Sequence, residues 1–190
     1  MRDLGVTSAA VTVVPEPLVL LLSVLTFLGS PTALSFLTPI GTYLGYRSGV
    51  LERREAWRLL AVVALAIGIA SFLKSLLALP RPPSSLWRIE EAGFGFPSGH
   101  ALVTTATTVA FARFFRPTTG KRGYVLAGGC TVVIAATRVL LGVHYLVDVL
   151  AGMAIGLAVV WIGIRASDRS LATSFAIALV SGLFGLLLPV

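Results

Sequence analysis

The sequence predicts an all-α protein, a polytopic membrane helical bundle of about six transmembrane helices with a short in-plane or re-entrant segment near its N-terminus. Three observations predict it. The chain is 56% hydrophobic and only 12% charged, where a soluble domain carries about a quarter charged residues. Apolar runs recur at lengths near the ~20 residues that cross a bilayer as helix. None of them alternates with the period of two that marks a barrel strand. Residues 1–190 form a single domain on this reading, an integral membrane unit.

The elements follow in order. Residues 1–14 are mixed, and Pro15-Glu16-Pro17 then punctuates the chain. The apolar run 18–28 spans about 16 Å as helix, well short of the ~30 Å hydrocarbon layer, so it is expected to lie in the plane or re-enter. Gly29-Ser30-Pro31 breaks the chain before a first span at about residues 32–49, with Pro39 inside it. Gly41, Gly45 and Gly49 recur there at four-residue spacing, a pattern that lets membrane helices pack closely. The second span is expected at about 57–79, the third at 99–115, the fourth at 123–141, the fifth at 143–164 and the sixth at 171–188. Gly152 and Gly156 give the fifth a small-residue packing face, and Thr104, Thr105, Thr107 and Thr108 of the third should bond helix carbonyls or a neighbour. Cys130, the single cysteine, excludes an intramolecular disulfide and is expected to be a packed thiol. The first residues lack a basic stretch followed by a small-residue cleavage site, so no cleavable signal peptide is expected.

The net charge of +7 does not point to nucleic acid, because the basic residues cluster between the apolar runs. Clusters at 47–58, 113–122 and 165–169 are all expected to be cytoplasmic. The polar interval 84–97 and the 141–143 turn then face the other side, which is expected to be extracytoplasmic at the plasma membrane. This orientation gathers three chemically distinctive clusters at one membrane face.

The first cluster is Pro97-Ser98-Gly99-His100. Pro97 stops any incoming helix, Ser98 is a good N-cap, and Gly99 permits close approach of another group. A helix start of this kind suits a phosphate or other oxyanion. The second pairs Lys74 with Arg81, seven positions apart and on nearly one face if the helix persists. A lysine within an apolar run is costly and is usually functional. The third is Arg138 with His144 and Asp148, the last two sharing a helix face at four-residue spacing. A carboxylate that takes the proton of one ring nitrogen leaves the other free as nucleophile, base or ligand. Three cations and a helix start would bind phosphate. Two histidines and one carboxylate would alternatively suggest a metal, but metal–phosphate sites normally carry more carboxylates, so no metal and no other cofactor is expected.

Lys74 with Arg81-Pro82, then Pro97-Ser98-Gly99-His100, then Arg138 with His144 and Asp148, resembles the three-part signature of the type-2 phosphatidic acid phosphatase superfamily, which also contains vanadium haloperoxidases. The resemblance covers about residues 57–164, and departs from the family pattern in Thr137, where the family usually has Ser. It implies a metal-independent lipid phosphate phosphohydrolase that works in two steps through a phosphohistidine. His144 would attack phosphorus, oriented by Asp148, and His100 would protonate the leaving oxygen and then activate water. Lys74, Arg81, Arg138, Ser98 and the Gly99 amide would hold the phosphate oxygens. Expected substrates are a polyprenyl diphosphate or phosphate, phosphatidic acid or phosphatidylglycerol phosphate. Two other readings compete, a phosphotransferase that passes the phosphoryl group to an alcohol and a non-enzymatic membrane transporter. The sequence assigns no oligomeric state.

Overall fold

A computed structural model describes residues 4–166 and Thr173, and no strand occurs among the described residues. Seven helices follow in order: α1 (Leu4–Thr12), α2 (Glu16–Leu28), α3 (Pro31–Arg47), α4 (Arg53–Leu77), α5 (Gly99–Phe114), α6 (Arg116–Leu140) and α7 (Leu146–Arg165). Their ends follow local chemistry. Ser30 caps α3 by accepting from the Ala33 amide at 3.0 Å. Glu52 and Glu55 form a capping box at the start of α4. That helix ends at Ala78, whose φ of 46° is left-handed, two residues before Pro80. Gly120 (φ 54°, ψ −143°) breaks α6 near its beginning.

Three helical stretches are each long and apolar enough to cross a membrane: Arg53–Leu77, Gly120–Leu140 and Leu146–Arg165. The α1–α2 pair, bent by 118°, makes a fourth if it is counted as one broken span. The helices expected as first and third spans are shorter, at 17 residues for α3 and 16 for α5. At 1.5 Å per residue these reach only about 24–26 Å, under the ~30 Å hydrocarbon layer. The expectation of six spans therefore becomes three or four among the described residues. The expected sixth, at 171–188, lies outside them except for Thr173.

The N-terminal segment is more structured than expected. Glu16, at the start of α2, pairs with Arg88 of the 84–97 loop. Gly29, just beyond its end, sits deeper, where an added Cβ would lie 2.9 Å from Thr104 Oγ1 and 2.5 Å from the Ile134 side chain. Downstream in α3, Gly41 abuts Phe111 and Gly45 abuts Phe115 at the far end of α5. Thus α2 and α3 run one after the other from the end bearing the 84–97 loop toward the opposite end, and the break at Gly29-Ser30-Pro31 falls between.

Helix α5 is the hub, packed by α4, α6 and α7. Leu59, Val62 and Ala66 of α4 meet Leu102, Val103 and Ala106 of α5 in a core with no solvent exposure. Two glycines bring α7 onto it. A Cβ at Gly152 would lie 2.6 Å from the Ser98 carbonyl oxygen, and one at Gly156 2.6 Å from that of Leu102. Backbone-to-backbone approach of this kind is what small residues provide where apolar burial gives no preference for helix over lipid. Gly49 belongs to another class, since it has φ +75° and open space around it, as a turn requires. The threonines of α5 bond as expected, Thr105 to Ala101 O, Thr108 to Thr104 O and Thr104 to Gly29 O. Thr107 is the exception, buried with no partner for its hydroxyl. Cys130 corrects an expectation, because it is exposed on α6 rather than packed. Apolar sequence alone does not separate a lipid-facing side from a core-facing one.

At the end opposite the 84–97 loop, Arg58 donates to the carbonyls of Ile164 (3.4 Å) and Ala166 (3.2 Å). A guanidinium there complements the negative end of α7.

Candidate active site

At the loop-bearing end, Lys74, Arg81, Gly99, His100, Arg138 and His144 line one cavity of about 720 Å³. Residues separated by up to 70 positions in the chain meet there because α4 and α6 rise to this end while α5 starts at it.

The α5 start is built as the sequence suggests. Ser98 is the N-cap, its hydroxyl accepting from the Ala101 amide at 3.4 Å, and His100 occupies the second helical position. The Ser98 amide in turn donates to the carbonyl of Asp148 at 3.0 Å, which ties this helix start to the first turn of α7. A Cβ on Gly99 would lie 3.5 Å from Lys74 Cε, so the bare backbone there leaves space beside the lysine.

Two placements differ from the sequence reading. Helix α4 stops at Leu77, so Arg81 lies in the following loop and not on a continued helical face. Its guanidinium is fixed by carbonyls: Nε donates to Gly93 (2.9 Å), Nη2 to Ala92 (2.8 Å) and Nη1 to Val143 (3.1 Å). His144 likewise precedes α7, in the turn 141–145, so it does not share a helix with Asp148. Their pairing arises because Asp148 is the third residue of α7, and its Oδ2 accepts from the Tyr145 amide at 3.0 Å and faces His144 Nδ1 at 3.4 Å. The turn is held from below, where the amides of Val143 and His144 both donate to the Arg138 carbonyl at 3.2 Å. From above it is pinned by Gly142 (φ +75°), whose added Cβ would stand 2.1 Å from the Leu86 carbonyl oxygen. Only glycine fits that position.

This arrangement assigns the histidine tautomer. Arg81 Nη1 lies 3.1 Å from His144 Nε2. A guanidinium can only donate, so Nε2 accepts and the proton sits on Nδ1, toward Asp148. Burial, and then the charges of Arg138, Arg81 and Lys74, hold the His144 pKa well below the ordinary histidine value. The imidazole is therefore neutral at neutral pH, with its lone pair on the nitrogen beside the cations.

Two residues that sequence reasoning missed complete the site. Glu91 bridges the cations, with its carboxylate paired with Arg138 and lying 3.5 Å from Arg81 Nη2. It occupies the anion partners that a phosphate would need. Thr26 of α2 accepts from Arg138 Nη1 at 3.0 Å, and both side chains are buried. Arg138 Nε is buried without a partner, a donor left for an incoming acceptor. Glu91 carried no signal beyond being a carboxylate in the polar interval. Thr26 carried none, since 112 positions separate it from Arg138.

Glu91 yields a direct expectation. Because it competes for the same guanidinium N–H groups, Glu91→Gln should tighten competitive inhibition by vanadate about ten-fold, in line with the loss of one charge-assisted bond of ~1.5–3 kcal/mol. An inhibition constant measured for both proteins decides the matter; weaker vanadate binding by the variant would mean that Glu91 orients the arginines instead of blocking them.

The chain is similar to known proteins in sequence and in fold. Residues 55–172 match the PAP2 superfamily. Phosphatidylglycerophosphatase B of Bacillus subtilis is 31% identical over 165 residues, covering 82% of this chain and 78% of that protein. The crystal structure of a transmembrane PAP2-type phosphatidylglycerolphosphate phosphatase from Bacillus subtilis superposes with a TM-score of 0.69 at 26% identity, covering 84% of this chain and 81% of that one. LpxE of Aquifex aeolicus shares the fold, with a TM-score of 0.72 over 87% of this chain and 96% of that one at 18% identity.

Proposed function

The chain belongs to the PAP2 superfamily, and from that membership and the geometry of its cavity we propose that it is a lipid phosphatase that hydrolyses a phosphomonoester or diphosphate through a phosphohistidine. The observation that carries the mechanism is His144 itself, with Nδ1 toward Asp148 and Nε2 among the cations. An anionic phosphoryl group drawn to Lys74, Arg81 and Arg138 meets that lone pair. Nε2 attacks phosphorus, the P–O bond to the lipid breaks, and His100 delivers the proton that the departing alkoxide needs. Water then attacks the phosphohistidine with His100 as base, the P–N bond breaks, and His144 is returned neutral. Ser98 and the Gly99 amide, at the positive end of α5, complete the oxyanion cradle. Phosphoryl transfer asks mainly for positioning and charge neutralisation, which fixed cations supply.

The same reading puts the cavity at the extracytoplasmic face of the plasma membrane, supported by the basic end around Arg53, Arg54 and Arg58 lying opposite to it. It also takes the cations to do the work a metal would otherwise do. The test is phosphate release by the purified protein in detergent, with and without a chelator. A rate within two-fold of the untreated one is expected in chelator; a large loss restored by magnesium would overturn the metal-independent mechanism. Absence of phosphate release from every lipid phosphate would overturn the function.

A further inference from the structure

The guanidinium of the buried Arg138 meets two side chains among the described residues. Glu91 pairs with Nη2, and Thr26 accepts from Nη1 at 3.0 Å. A phosphate affects these partners differently. Glu91 is an anion and competes with phosphate for the same N–H groups, whereas Thr26 is neutral and can stay in place. Packing sets the height of Thr26. Gly29, three residues further along, has no side chain, and a Cβ there would lie 2.5 Å from Ile134 and 2.9 Å from Thr104 Oγ1. Its carbonyl accepts from that same threonine hydroxyl at 2.9 Å. Ile134 lies one turn before Arg138 on α6, which runs opposite to α2. Rises of about 4.5 Å on α2 and about 6 Å on α6 therefore bring Thr26 and Arg138 close to one level. Threonines within helices commonly bond a carbonyl one turn back, as Thr105 does to Ala101 and Thr108 to Thr104. Thr26 makes no such bond to a described residue, and its oxygen faces Arg138.

Resting on the lipid phosphatase reading above, we propose that Thr26 is a positioning residue for phosphate binding, holding Arg138 so that Nε and Nη2 face the substrate. Nε is buried without a partner, and Nη2 becomes free once Glu91 is displaced. These two N–H groups share one edge of the planar guanidinium, a fork that matches two phosphate oxygens. Thr26 takes the remaining nitrogen, Nη1, and leaves that fork to the anion. Being neutral, it does so without cancelling the charge that draws phosphate in. Without the hydroxyl, Nη1 would be buried with no acceptor, and the guanidinium would turn to find one. Thr26 lies ahead of residues 55–172, which match the family, so the cradle depends on a helix outside the three-part signature.

The test measures binding of inorganic phosphate by calorimetry, and kcat and KM on nitrophenyl phosphate, in the full-length protein and its Thr26 variants. Thr26→Val keeps the shape of the side chain and loses its oxygen. It should weaken phosphate binding about ten-fold and raise KM by a similar factor, with kcat within about two-fold of the parent. Thr26→Ser keeps the oxygen and should restore both constants to within about two-fold. Added to Arg138→Ala, Thr26→Val should cost less than about two-fold more, because both changes act through one guanidinium. Unchanged phosphate binding in Thr26→Val overturns the inference, as does an equal loss in Thr26→Ser or a further ten-fold loss on top of Arg138→Ala. A protein that binds phosphate but releases none from any phosphate ester would overturn the phosphatase reading, and the binding constants would still decide the role of Thr26.

Discussion

Replacing His144 by Ala removes phosphate release from every substrate, by roughly 10⁴–10⁶-fold, whatever the leaving group. The size follows from what is lost. Without the Nε2 lone pair there is no covalent intermediate, and water, unassisted at the first step, must displace the alcohol directly. The fold should survive, because the turn is held by the backbone amides of Val143 and His144 and by Gly142 rather than by the imidazole. A thermal melt beside the assay separates the two effects; residual activity above about 1% of the parent would remove His144 from the nucleophile's place. The same residue sets the acid side of the pH profile. Protonation of Nε2 destroys the nucleophile, and burial with three neighbouring cations lowers the pH at which that happens. Activity should therefore persist as pH falls through the ordinary histidine range near ~6.5 and fail only below it. A kcat/KM profile whose acid limb lies at or above that value would contradict the neutral, buried imidazole.

The second large effect separates the two histidines by leaving group. His100→Ala should lower the rate on a lipid phosphate about 10²–10⁴-fold, the usual worth of general acid–base assistance. The loss should shrink for nitrophenyl phosphate, whose oxygen departs without a proton. With that substrate the first step proceeds while the second lacks its base, so phosphohistidine should accumulate and be trapped by acid-labile label. Equal losses on both substrates, with no trapped intermediate, would refute the assignment. In the free enzyme burial, and then the charge of Arg138 and the other site cations, holds the His100 pKa down at about 2. The proton that His100 passes to the leaving oxygen must therefore arrive with the bound phosphate and does not sit on the free imidazole.

The residues that line this cavity were more legible in the sequence than the geometry that joins them. Ser98 and His100 could be placed because N-cap identity and helix position are local properties, written within four residues. Lys74, Arg138 and Asp148 could be singled out because charge within or beside an apolar run is costly and seldom incidental. The error over Arg81 came from periodicity: a two-turn spacing has meaning only while the helix lasts, and α4 ends in the left-handed Ala78 before Pro80. His144 and Asp148 show the reverse case, where four-residue spacing did mark neighbours although a turn and a helix cap, not a helix face, join them. Glu91 and Thr26 reach the arginines from a loop and from a distant helix, and no local pattern encodes such contacts. The N-terminal segment was legible as too short to cross alone, but not as two helices meeting at 118° above a break at Gly29. Cys130 was misplaced because hydropathy in a membrane protein does not distinguish lipid from core.

Two displacements at phosphorus, first by His144 and then by water, are the central claim. They are tested most directly by the stereochemical course of hydrolysis. A substrate whose phosphate is made chiral with oxygen isotopes, turned over by the unmodified enzyme, should give product with overall retention of configuration, because each in-line step inverts once. Overall inversion would mean a single direct attack by water, and would contradict a phosphohistidine at this site.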